Sequence, residues 1–176
     1  MVALLRGVNV GGRGTLAMAE LRAIATDLGY TEVATYIQSG NLVLSADATA
    51  ATVARTLAEA IPSRAGIEPA VMVRTRAELS AVVEGNPFVS RGEDPSHLHV
   101  LFTDGDATGA LTALDLPACA PEEVIAADRA LYLLLPTGVG RSRLAIDLGR
   151  TKTLVGTTRN WRTVTTLAHM AEAVRS

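Results

Sequence analysis

The apolar positions of this chain change period several times, and each change marks an element. Residues 2–10 are rich in Val and Leu and read as a strand ending at Asn9 and the Gly11-Gly12-Arg13-Gly14 loop. Leu21, Ile24, Ala25 and Leu28 then fall at helical spacing, with Gly29 placed to end that helix. Residues 33–38 and 41–46 are two short β-like runs around Ser39-Gly40, a tight-hairpin signature. A second helix starts at Asp47 or Thr49, carries Val53, Ala54, Leu57, Ala60 and Ile61 on one face, and stops at Gly66. After Pro69, Ala70-Val71-Met72-Val73 supplies another strand. The order β-α-β-β-α-β is the ferredoxin-like arrangement, two helices over one face of an antiparallel sheet.

The capping box Thr75-Arg76-Ala77-Glu78 opens a connecting helix with Leu79, Val82 and Val83 inward, and Gly85 to Ser96 reads as a loop. The expected organisation is therefore a first half at 1–76, a connecting helix and loop at 77–96, and a second half at 97–176. That second half predicts strands at 97–103, 122–127 and 131–135, a short helix near 107–115, and another helix at 141–148. A final helix spans 160–174, with Val164, Leu167, Ala168, Ala171 and Val174 on its apolar face. It stands where a last strand would be expected, and no sequence repeat relates the two halves. The predicted class is α+β: two ferredoxin-like halves with antiparallel sheets and an extra C-terminal helix.

Composition narrows the setting. Of 176 residues, 48% are hydrophobic but only 3% aromatic, so Ala, Val and Leu must fill the core. With 19% charged residues and a net charge of −2, the chain is neither disordered by composition nor generally attracted to nucleic acid or anionic membrane. Cys119 is the single cysteine, which excludes an internal disulfide and fits a reducing cytosol. No apolar run approaches bilayer length and no leader is visible, so the expected location is cytoplasmic.

Three polar motifs interrupt this aliphatic background. Arg6 and Asn9 stand in a Val- and Leu-rich strand, where a charged residue must face solvent, a carboxylate or a ligand. The Gly11-Gly12-Arg13-Gly14 loop can aim backbone amides at an anion, or can serve only as a turn needing positive φ; its spacing fits neither a dinucleotide fingerprint nor a P-loop. Gln38, Ser39 and Asn41 surround the hairpin turn, a place where Ser, Gly and Asn are favoured for backbone reasons alone. Arg159, Asn160, Trp161 and Arg162 enter the final helix behind Thr157 and Thr158. This combination can stack on and neutralise an anionic planar ligand, or can anchor the helix in the core with solvated arginines. From Gly138 to Ala171, six basic residues face the single acid Asp147. His97 and His99 share a strand face, but His169 is distant and no cysteine cluster assists, so no metal site is expected. No Ser-His-Asp order, nucleophile elbow or carboxylate pair stands out.

These motifs resemble one bacterial family, domain of unknown function 1697 (DUF 1697). The resemblance runs from Ala3-Leu4-Leu5-Arg6-Gly7-Val8-Asn9-Val10-Gly11-Gly12 through Met18, Leu21-Arg22 and Leu28-Gly29-Tyr30 to Thr35-Tyr36-Ile37-Gln38-Ser39-Gly40-Asn41. It resumes at Asn86-Pro87-Phe88 and closes with Ser142, Leu144 and Thr158-Arg159-Asn160-Trp161-Arg162-Thr163-Val164. Arg13-Gly14 replaces a usually Lys- and Asn-rich stretch, and Arg143 and Arg162 stand where Lys and Asn are common. The resemblance implies two ferredoxin-like halves and no particular activity.

The functional expectation is a small anionic or nucleotide-like ligand bound between the halves. Arg6, Asn9 and the Gly11 and Gly12 amides would meet its phosphate or carboxylate beside Gln38, Ser39 and Asn41, with Arg159, Asn160 and Trp161 closing the other side. No cofactor is implied, and the sequence names no catalytic residue. Nucleic-acid binding is the alternative, weakened because the strands at 2–10 and 41–46 carry no stacking aromatics. A non-catalytic interaction or assembly role is the other.

Overall fold

A computed structural model describes residues 1–10, 14–112 and 114–174, so Gly11 and Gly12 lie outside the described residues. The chain divides into two compact units, Met1–Ala81 with Thr166–Ser176, and Val82–Thr165.

The first unit is built on β1 (Val2–Leu5), a strand whose four residues are all buried. A strand covered on both faces reads as a continuous apolar run rather than an alternation, which is the pattern at 2–5. It is followed by α1 (Met18–Asp27), β2 (Thr31–Tyr36), β3 (Asn41–Ser45), α2 (Ala50–Ala65) and β4 (Val71–Arg74). The strands pair antiparallel in the order β2-β3-β1-β4. Ala3, Leu5, Leu42, Leu44 and Val73 pack with Leu21 and Ile24 of α1 and with Val53, Leu57 and Ile61 of α2. Thr49 starts α2, its hydroxyl accepting from the Thr52 amide at 3.2 Å, and Gly66 ends it in the left-handed region at φ 66°. The Thr75–Glu78 capping box forms reciprocally at the start of α3 (Arg76–Glu84), at 2.7 and 3.1 Å.

After the short α4 (Pro87–Ser90), the second unit contains β5 (Leu98–Thr103), α5 (Thr108–Leu111), β6 (Glu123–Ala127), β7 (Ala130–Leu134), α6 (Arg143–Arg150) and β8 (Gly156–Asn160). Its sheet is antiparallel in the order β6-β7-β5-β8. Leu101, Leu131 and Leu133 pack with Leu144 and Leu148 of α6. The final helix α7 (Trp161–Ala173) follows β8 directly.

Both sheets thus share one topology, and the likeness extends to register. Arg74, the last residue of β4, lies opposite Val2 of the central strand β1; Arg159 in β8 lies opposite Val100 of the central strand β5. Each arginine is buried, and each is followed by a helix cap: Thr75 for α3, and Asn160 for α7, whose Oδ1 accepts from the Thr163 amide at 2.8 Å. No residue pattern in the sequence announces this equivalence.

The structure corrects three local expectations. The strand read at 2–10 stops at Leu5, because Gly7 and Asn9 adopt φ 72° and 56° and leave extended geometry. The hairpin turn takes four residues, Ile37 to Gly40, rather than Ser39-Gly40 alone. The second half does possess its last strand, Gly156–Asn160, so the helix after it follows a complete sheet. Two adjacent threonines hid that strand, since they suit a helix cap as well as a β-ladder.

Candidate functional site

The end of the first unit's sheet is assembled by backbone geometry. The Leu5 amide donates to the Gly40 carbonyl at 2.9 Å, and the Arg6 amide to the Ala70 carbonyl at 2.9 Å. These bonds bring the ends of β1 and β4 to the β2–β3 turn. Asn9 then fastens the loop to that turn. Its Nδ2 donates to the Leu16 carbonyl at 2.8 Å and to the Gln38 carbonyl at 2.7 Å, while Oδ1 accepts from the Leu16 amide at 2.9 Å. Both amide donors and the amide acceptor are engaged. Asn suits the position because it tolerates left-handed backbone and carries both functions. The first two sequence motifs therefore meet, and Asn9 is what joins them.

Inside the turn, Asn41 is fully buried and donates to the Tyr36 carbonyl at 3.1 Å and to the Ser39 hydroxyl at 3.0 Å. These contacts make Asn41 and Ser39 braces of the hairpin. Ile37 is the outlier, a β-branched residue at φ 49° with 49% of its surface exposed. Left-handed backbone costs such a side chain about 1–2 kcal/mol. Ile37→Asn is expected to raise unfolding stability by about 1 kcal/mol, read as a higher urea midpoint.

What this end offers to solvent is narrower than the motifs suggest. The Arg6 side chain is exposed and makes no ion pair among the described residues. Gly7 is exposed and its amide makes no hydrogen bond to a described residue, whereas Val8 is buried. Gln38 is exposed, and Val10 and Ile37 are exposed apolar side chains. A guanidinium next in sequence to an exposed amide with no partner among the described residues is chemistry suited to holding a phosphate or carboxylate. It is not chemistry that activates a nucleophile.

The third motif lies at β8 and α7, and its residues are committed internally. Arg159 is buried, with Nη1 donating to the Thr157 hydroxyl at 2.6 Å and to the Thr158 carbonyl at 2.9 Å. Burial holds its guanidinium down to about 10. Asn160 caps α7, and Trp161 is 8% exposed among the apolar residues of the core. In the surrounding basic segment, Arg143 and Arg150 lie 3.6 and 3.7 Å from the Asp147 carboxylate. Cys119 is buried, which pushes its thiol pKa up, away from nucleophilic use. His99 sits against the His97 carbonyl, and no cluster of three or more metal-ligating side chains exists among the described residues.

Arg74 escaped the sequence reading. The signal was available: an arginine closing the apolar run Val71-Met72-Val73 raises the same question as Arg6, namely what receives its charge. Its Nη1 donates to the Val73 carbonyl at 2.9 Å.

The family model described as "Protein of unknown function (DUF1697)" matches residues 1–132. The chain belongs to this family. Comparison with curated proteins gives no match. Among solved structures, the chain is similar to the conserved bacterial protein SP0830 from Streptococcus pneumoniae, at 22% identity and a TM-score of 0.77, covering 97% of each chain. At that identity the likeness speaks for the fold alone, and it supports the two-sheet architecture over the whole chain. No helix among the described residues is long and apolar enough to cross a membrane.

Proposed function

We propose that the first unit binds a small anionic ligand at the loop after β1. Arg6 meets its phosphate or carboxylate, the exposed Gly7 amide donates to the same group, and Val10 and Ile37 flank an apolar portion. A nucleotide, with its phosphate joined to a planar base, belongs to this ligand class. One observation carries the reading: the exposed Arg6 guanidinium, without an ion pair among the described residues, stands on a loop that Asn9 pins from both sides. Pinning lowers the ordering cost that a flexible loop would meet on binding. The strained Ile37 backbone at the neighbouring turn supports it, since such strain concentrates at ligand sites. A cytosolic location goes with this reading, and a lone cysteine, buried at that, suits it.

The alternatives find less support. Ferredoxin-like RNA modules stack bases on an open sheet face, whereas here Val2, Leu4, Val43 and Met72 are at most 1% exposed. Self-association through the β2 edge is opposed by an irregularity between Thr31 and Ala34 and by the left-handed Glu32, devices that keep edges from pairing.

Titration of the wild-type protein with inorganic phosphate and AMP, followed by amide NMR shifts, tests the proposal. Saturable shifts at Gly7 are expected. Arg6→Ala should weaken them about tenfold or more, the loss of one charge-assisted hydrogen-bond partner. Absence of saturable shifts in the wild type, or undiminished affinity in Arg6→Ala, overturns it.

A further inference from the structure

At the opposite end of the same sheet, a cleft of about 570 Å³ opens within the first unit, lined by Ser45, Asp47, Thr75, Arg76, Ala171 and Val174. This volume lies in the range of roughly 300–1,000 Å³ typical of small-molecule sites. The walls differ in kind. Ala171 and Val174 make an apolar side, while Ser45 and Thr75 place hydroxyls at the ends of β3 and β4. The charged residues are of opposite sign, yet neither Asp47 nor Arg76 has an ion-pair partner among the described residues.

Two basic groups stand on the positive side of the cleft. Arg76 is the first residue of the nine-residue helix α3, whose terminus the Glu78 carboxylate already meets by accepting from the Thr75 amide. Met1 also lines the cleft, its amino group donating to the Leu44 carbonyl at 2.7 Å. Burial and then the nearby Arg76 charge lower the pKa of that amine. Asp47 is the acidic residue of the lining.

Two opposite charges on one cleft, unjoined to each other, match a ligand that carries both. We propose that this cleft binds a small zwitterion of the amino-acid or short-peptide class, its carboxylate on Arg76 and its ammonium on Asp47. The Ser45 and Thr75 hydroxyls hydrogen-bond its polar backbone, and an apolar side chain rests on Ala171 and Val174. This site rests on observations independent of the Arg6 loop.

L-alanyl-L-alanine and L-alanine are the probes, titrated into the full chain and followed by amide NMR shifts at Ala46 and Ala77. Saturable binding is expected, with acetate and methylammonium each weaker by about tenfold or more, because each satisfies one charge only. Arg76→Ala and Asp47→Asn should each weaken dipeptide binding by a similar factor. Arg55→Ala, which removes an exposed charge on α2 paired with Glu59, is the control and should change nothing. No saturable shift with either probe overturns the proposal. So does binding that ignores both substitutions, or acetate binding as tight as the dipeptide.

Discussion

Gly40→Ala is expected to destabilise the first unit by about 2–4 kcal/mol. The sum has two parts, about 1 kcal/mol for placing a side chain in left-handed backbone and about 1–3 kcal/mol for overpacking. Gly40 adopts φ 71°, and a Cβ built there would sit 2.8 Å from the Cβ of Leu5. Rotation cannot relieve that contact, because a Cβ is fixed by its own backbone. The Leu5 backbone is held in turn by the 2.9 Å bond from its amide to the Gly40 carbonyl. Gly66→Ala separates the two contributions. Gly66 has φ 66° but nothing within 4 Å of its would-be Cβ, so only the conformational part of about 1 kcal/mol should appear. Urea denaturation of both variants checks this; equal losses would show that the Leu5 contact is harmless.

Asn9→Ala should cost about 2–4 kcal/mol, from three side-chain hydrogen bonds and a left-handed backbone that Ala tolerates less well. The loss should fall on binding as well as stability. Asn9 spends its amide on Leu16 and Gln38 and offers nothing to a ligand, so it is a positioning residue for Arg6. In Asn9→Ala, phosphate affinity should drop together with the urea midpoint. In Arg6→Ala, affinity should drop while the midpoint stays within about 0.5 kcal/mol of wild type, as for an exposed side chain. Unchanged phosphate affinity in Asn9→Ala would remove the positioning role.

The sequence predicted elements well wherever period and cap agreed. Thr49, Gly66 and the Thr75–Glu78 box each stand where an amphipathic pattern starts or stops, and the structure uses each one as a cap. It predicted poorly where one residue type serves two ends. Thr157 and Thr158 suit either a helix cap or a strand, and the strand was missed. Chemistry-bearing side chains were found more readily than their roles. Asn9 and Asn41 were identified as polar residues at element ends, but only folding shows their amides turned onto backbone carbonyls. Arg159 and Trp161 fit a core role and a ligand role alike in sequence, and only the folded chain shows them buried. Asp47 was read as a helix start and Arg76 as part of a capping box, and local pattern could not show that both line one cleft.

The Asn9 side chain has a mechanical consequence. Its two bonds to Leu16 close the loop on itself, and its third, to the Gln38 carbonyl, rivets that closed loop to the hairpin turn, so the loop moves as one piece against the turn. Motion at this edge should therefore be concerted: a molecule tugging on Arg6 drags the Gln38 segment with it, and hydrogen exchange at the Leu16 amide should quicken or slow in step with exchange at the Leu5 amide.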